Sequence, residues 1–289
     1  MSPVDFNTLD VYGLIDADTA EARAFTTYMG YWGAIAGVIE DRYGIDFHQP
    51  LVNDLKARRP VKKLTGQPFK GDEQGLRELL LGAWTQELGL YAVDDDDPRL
   101  MLQNLWNNVY AYYATSRAAA GFLLVRNNAV PTSHRKTLKA LAASVKGSPI
   151  FPQPWSLTCT RHGALSFKGF DQPPQEVSNL AASPNPYDLL AKCLKTTRGR
   201  RLEDLKRERR QNLGRSQLPK GEGVRIDKSC EPTTVFDFLW RSRTRSNYGD
   251  PSMFYVGTLD HDRTPFFGPG VMRVFSGCFL PIGLRIRLG

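Results

Sequence analysis

The sequence predicts a mainly α protein with small β additions. Apolar residues recur at helical spacing in six stretches, and residues suited to caps and turns separate them. Strand-like alternation is confined to one short hairpin and one late segment. With 289 residues, 41% hydrophobic and 24% charged, the chain can bury a sizeable core, which excludes disorder throughout.

Asp18 or Thr19 can cap the first helix, whose buried face holds Phe25, Tyr28, Met29, Trp32, Ile35, Ala36, Ile39 and Tyr43, and Gly44 ends it. Residues 48–72 are rich in Pro, Lys and Arg and lack periodicity, so they read as a loop with at most a short strand. The next helix, 73–91, is carried by Leu76, Leu79, Leu80, Trp84 and Leu88, and an acidic run at 94–97 follows it. Residues 97–146 form a helical hairpin. Asp97 caps it, Pro98 suits the first helical position, and Leu102, Leu105, Trp106, Val109, Tyr113, Ala120, Leu123 and Leu124 share one face with the small Ser116 among them. Asn127 and Asn128 allow a left-handed exit, and Thr132 or Ser133 caps the second helix, striped by Leu138, Leu141 and Val145. His134 lies at the corner of this hairpin.

Residues 152–172 change period. Trp155, Leu157 and Cys159 alternate, Arg161 to Gly163 turn around His162, and Leu165 and Phe167 alternate back. A helix over 187–213 follows, then a stretch interrupted by Gly, Pro and Ser, then a helix from Thr234 through Phe236, Phe238, Leu239 and Trp240. The tail ends on a strand-like alternation of Ile282, Leu284, Ile286 and Leu288. The expected organisation is an N-terminal helical region (1–93) packing on a core (94–254), with a Gly-rich tail (255–289).

The formal net charge is +8, and residues 192–228 alone hold thirteen Lys or Arg against five acids. Such a segment is either a solvated helix face or a contact for a polyanion, RNA foremost. Arg200, Arg201, Lys206, Arg207, Arg209 and Arg210 are its candidate phosphate contacts. Further on, helical spacing aligns Asp237, Arg241, Arg245 and Tyr248, with Arg243 and Asn247 on another face. Arginine forks suit phosphate, and Arg241 and Arg245 join the candidate contacts; the competing reading pairs Asp237 with Arg241 and leaves the others in water. The four cysteines form no CxxC pair, and His261 between Asp260 and Asp262 is too weak a pattern for a metal site, so neither metal nor cofactor is expected. The segment MSPVDFNTLD lacks a signal pattern and no apolar run reaches roughly 18 residues, so a cytoplasmic protein without a membrane partner is expected.

Two segments carry a resemblance. NVYAYYATSRAAAGFLLVRNNAVPTSH, ending at His134, resembles the second-helix signature of the HEPN superfamily, and RTRSNYGD, from Arg243 to Asp250, is similar to its closing-helix pattern. The resemblance covers roughly residues 97–254 and implies an up-and-down bundle of four or five helices, frequently a homodimer. Many members are metal-independent endoribonucleases used as toxins or in antiphage defence, some acting with an antitoxin or defence-system partner, and RNA, tRNA included, is the implied substrate. Carried onto this chain, the implied catalytic positions are Arg243, Asn247, Tyr248 and Asp250, with His134 at the corner. The sequence departs from the nuclease pattern in one respect: no His follows Arg241, Arg243 or Arg245 after four to six residues. A non-catalytic module that binds nucleic acid or nucleotide and regulates a partner, and a scaffold subunit of a defence complex, therefore stand as alternatives.

Overall fold

The computed structural model describes residues 20–65, 68–90, 100–147, 150–160, 167–175 and 185–249. They are mainly helical: α1 (Ala20–Tyr43), α2 (His48–Ala57), α3 (Arg59–Thr65), α4 (Glu73–Leu90), α5 (Leu100–Asn127), α6 (His134–Gly147), α7 (Pro186–Asn212), α8 (Glu222–Ser229) and α9 (Val235–Thr244), which runs into a π turn, Arg245–Gly249. The β content is one antiparallel pair, β1 (Thr158–Cys159) and β2 (Phe167–Lys168), with Cys159 opposite Phe167. Cys159 also exchanges both backbone hydrogen bonds with Thr233, at 2.9 Å each, which ties the hairpin to the chain just before α9.

Local chemistry explains most boundaries. Gly44 ends α1 at φ 77° and Asn128 ends α5 at φ 53°, the left-handed exits that these residue types tolerate. Asn185 caps α7 by accepting from Tyr187 N at 3.0 Å, with Pro186 at the first helical position. At α9, Thr234 donates to Asp237 Oδ2 from both its backbone nitrogen (2.8 Å) and its hydroxyl (3.0 Å), fixing the first turn.

The segment expected to be a loop, 48–72, instead holds α2 and α3. Leu51 and Leu55, one helical turn apart, are fully buried and Val61 nearly so; Lys56 and Arg59 between them are exposed, and Arg58 turns to Asp54 and the Phe151 carbonyl. Pro50 and Pro60 sit in the first turns, where proline costs no hydrogen bond. Three apolar anchors among many charges are too sparse for periodicity to register.

Helix α9 lies at the centre. Its Phe238 ring meets Tyr28, Tyr31 and Trp32 of α1 at 5.8, 5.9 and 5.1 Å between centroids, geometry in which aromatic edges and faces attract. Helix α1 runs antiparallel to α7: Gly37 lies against Pro186 while Tyr31 Oη bonds Thr196 Oγ1 at 3.2 Å. Helices α4 and α5 are likewise antiparallel, Gly121 facing Leu76 and Gly89 facing Tyr110. The outer side of this pair differs from expectation. Trp84, Leu88 and Trp106, placed on buried faces by spacing, are 47%, 69% and 51% exposed, while Asn107, Asn108, Ala111 and Tyr112 are buried instead. A helix enclosed on several sides has no single apolar stripe, so periodicity misassigns its face.

The Asp97 and Pro98 helix start, the turn around His162, His261 and the tail strand at 282–288 lie outside the described residues.

Candidate functional site

The structure brings together the corner of the helical hairpin and the closing helix. Ser133 opens α6, its hydroxyl accepting from Lys136 N at 3.3 Å, and this places His134 at the helix start. Its ring is enclosed by Tyr112 (5.3 Å), Tyr113 (5.7 Å) and Trp240 (5.4 Å), centroid to centroid. Its Nδ1 lies 3.3 Å from Ser116 Oγ, one turn along α5 from Tyr112 and Tyr113. Arg243 enters the same box from α9. Its Nη2 donates to Tyr113 Oη at 2.7 Å, and Cζ sits 5.2 Å over the rings of Tyr113 and Trp240 and 5.8 Å over that of Tyr112. The Ser242 hydroxyl donates to Asn108 Oδ1, which locks α9 against α5 one residue from Arg243.

Three rings thus serve two charged or chargeable groups. The ring faces carry negative potential, so they attract the Arg243 guanidinium and help to hold it in place. Burial first, and then the Arg243 cation, hold the His134 imidazole below its ordinary pKa. The positive end of α6 acts in the same direction. At neutral pH the box therefore presents a neutral imidazole beside a fixed cation. Tyr113, Ser116, His134 and Trp240 are half-buried, so the box has a solvent side, whereas Arg243 is 7% exposed and Tyr112 2%.

Other expected site residues lie elsewhere. Arg241 faces away from the box: its Nη1 donates to Thr197 Oγ1 at 3.2 Å and Cζ lies 5.2 Å over Tyr28. Arg245 is close enough to Tyr28 to act on its phenol. The pairing of Asp237 with Arg241 does not form; Arg201 takes Asp237 Oδ1 at 3.0 Å, because helix α7 brings its guanidinium to the first turn of α9. Burial nonetheless pushes the Asp237 carboxyl up, against the pull of Arg201, Thr234 and Arg198. Asn247 is half-buried in the π turn. The side chain of Tyr248 and the whole of Asp250 lie outside the described residues.

The basic segment is partly neutralised. All five acids of 192–228 are in ion pairs: Lys206 with Glu203 (2.9 Å), Arg207 with Asp204 (2.6 Å), Arg209 and Arg225 with Glu222 (2.8 and 3.6 Å), Arg198 with Asp227 (3.1 Å), and Glu208 with Arg135 of α6 (2.8 Å). Arg198 is fully buried, donating also to the carbonyls of Asp227 and Glu231, so it is a structural cation that clamps α8 to α7. Arg200, Arg210, Arg215, Lys220 and Lys228 form no ion pair among the described residues and supply the surface charge. The Arg135 pair sets this outer half of α7 beside the start of α6 and hence beside His134.

No protein-family model, curated protein or solved structure matches this chain. Among the described residues no three His, Cys, Asp or Glu side chains converge as a metal site requires, and no helix is long and apolar enough to cross a membrane. Cys159, Cys193 and Cys230 are free thiols, the first two buried.

Tyr112 lies in the core and Tyr113 packs against it, and the two also wall the box; Ser116, marked in the sequence only as a small residue on that face, is the partner that was missed. Its signal is the spacing Tyr112, Tyr113, Ser116, which sets two phenols and a hydroxyl on adjoining faces of one helix.

Proposed function

We propose that this chain is a HEPN-type RNA-acting protein that cleaves RNA without a metal, as a toxin or antiphage effector working in the cytoplasm. The observation that carries the reading is the convergence of His134 and Arg243, 109 positions apart in sequence, on one aromatic box. The missing closing-helix histidine of the nuclease pattern is thereby supplied from the corner of the hairpin. His134 Nε2 takes the proton of the ribose 2′-hydroxyl, the 2′-oxygen bonds to phosphorus, and the bond to the 5′-oxygen breaks. The leaving oxygen takes the proton of Tyr113, whose hydroxyl already accepts from Arg243 and has its own proton to give. Arg243 stabilises charge developing on the phosphoryl oxygens. Cations on the outer half of α7 draw the RNA towards this end of the fold, and a second copy, a usual feature of the resembled family, would extend the cleft.

A second reading is favoured by one observation. Arg243 is only 7% exposed, so a role as a buried strut in a non-catalytic RNA- or nucleotide-binding module, or in a scaffold subunit, would need no substrate contact. Incubating the protein with total tRNA and a structured RNA in excess EDTA separates the two. Specific fragments with 2′,3′-cyclic phosphate ends, absent with His134→Gln and Arg243→Ala, are the expected result. Intact RNA with salt-sensitive binding would establish the non-catalytic module instead.

A further inference from the structure

The Ser116 hydroxyl touches His134 itself, and the proposed reaction does not use it. We propose that Ser116 is the positioning residue for His134: its oxygen accepts a hydrogen bond from Nδ1–H and so leaves the Nε2 lone pair facing the substrate. This rests on the reading of His134 as the base.

The argument is a count of protons. A neutral imidazole has one N–H, and the bond made by one nitrogen determines the state of the other. Ser116 Oγ is 3.3 Å from Nδ1, and no described residue bonds Nε2. A serine hydroxyl has one proton and two lone pairs. Its neighbour Thr115 spends its proton on the carbonyl of Ala111, the common fate of a helical hydroxyl. Ser116 makes no such bond among the described residues. Beside it is Tyr112 Oη, which is buried and has no partner of full hydrogen-bond geometry among the described residues. The Ser116 hydroxyl lies near enough to that phenol to oppose the upward push of burial. With its proton turned towards Tyr112, Ser116 offers Nδ1 a lone pair, and the ring proton then sits on Nδ1.

The arrangement also suits the next state. When Nε2 has taken the 2′-hydroxyl proton, the imidazolium still has its Nδ1–H and still needs an acceptor, which Ser116 supplies without turning. The same residue would be a poor partner if it donated, because protonation of the ring would then break the bond. Around the ring stand Tyr112, Tyr113 and Trp240 and the Arg243 cation. Ser116 Oγ is the acceptor that lies within hydrogen-bond reach of Nδ1.

The test reads the tautomer directly. Imidazole nitrogens of uniformly 15N-labelled full chain are recorded at neutral pH, with His134 assigned by its loss in His134→Gln. The wild type is expected to show His134 as Nδ1–H, Ser116→Ala a mixture with Nε2–H, and Ser116→Thr, which restores the hydroxyl, the wild-type state. In the RNA cleavage assay Ser116→Ala is expected to lower kcat about tenfold at unchanged KM, with recovery in Ser116→Thr. His134 found as Nε2–H in the wild type, or unchanged in folded Ser116→Ala, overturns the proposal. Should the tautomers behave as expected while the wild type cuts no RNA, Ser116 keeps its role and the cleavage reading falls.

Discussion

His134 is held neutral by three neighbours of different kinds: the rings that desolvate it, the Arg243 cation and the positive start of α6. The pH consequence has a definite sign. With its folded pKa below the unfolded value near 6.5, the unfolded chain binds the extra proton first, so this group's contribution to stability is complete above that value and is lost as pH falls towards the folded pKa. Thermal melts at pH 7.5 and 5.5 should therefore differ less in His134→Gln than in wild type, and an equal difference would show that His134 is not so perturbed. For Arg243 the expectation is kinetic. Removing one preorganised donor to a developing oxyanion costs about 10²–10³ in kcat, so Arg243→Ala should lose that much or more. Arg243→Lys should recover little, because a compact ammonium cannot both bond Tyr113 Oη and spread its charge over the Trp240 ring as the guanidinium does. Full activity in Arg243→Ala would remove the residue from the site.

Elements meet in this fold through small residues and buried polar anchors. A Cβ on Gly37 would stand 2.9 Å from Pro186 Cβ, closer than side-chain atoms pack, so the approach of α1 to the start of α7 needs this position bare. Gly37→Ala should push the pair apart and cost about 1–3 kcal/mol in a denaturant titration; an unchanged midpoint would show that the contact yields freely. The start of α9 depends on Asp237, whose two oxygens serve Thr234 and Arg201 separately. Asp237→Ala removes a cap and strands a half-buried guanidinium, a loss of about 2–4 kcal/mol. Because α9 carries both Trp240 and Arg243, that change should also weaken the site, visible as lower activity at temperatures where the chain is still folded.

At the scale of the molecule, charge is sorted by use. The segment 192–228 is strongly basic in sequence, yet four of its five acids, Asp237 and burial occupy several of its cations. Those left over, Arg200, Arg210 and Arg215 among them, form no ion pair among the described residues. RNA affinity should fall steeply with salt, and replacing these three by Gln should lower the slope of log K against log salt by about 2, at roughly 0.7 per phosphate contact on a single strand. Replacing Lys206, Arg207 and Arg209, which already have carboxylate partners, should change it less. Equal effects from both triple variants would mean that the ion pairs open when RNA binds.

The mainly α class was legible because amphipathic periodicity and capping chemistry are local: Gly44, Asn128 and Thr234 mark their helix ends by side-chain and backbone preferences that need no distant partner. His134 and Arg243 were legible as separate candidates for the same reason, each marked within its own segment. What periodicity could not supply was direction. Trp106, Trp84 and Leu88 have the spacing of core residues and stand in solvent, Asn107 and Asn108 have the polarity of surface residues and are buried, and Asp237 pairs with Arg201 across two helices instead of along its own. Only tertiary packing chose which face of α5 turned inward, and so only packing put Tyr112, Tyr113 and Ser116 around His134 and laid Arg243 across them. The physical reason is range. Helix propensity and capping act over about one turn, whereas a ring stack, a buried ion pair and a shifted pKa need groups that lie far apart along the chain and that the fold brings within a few ångströms.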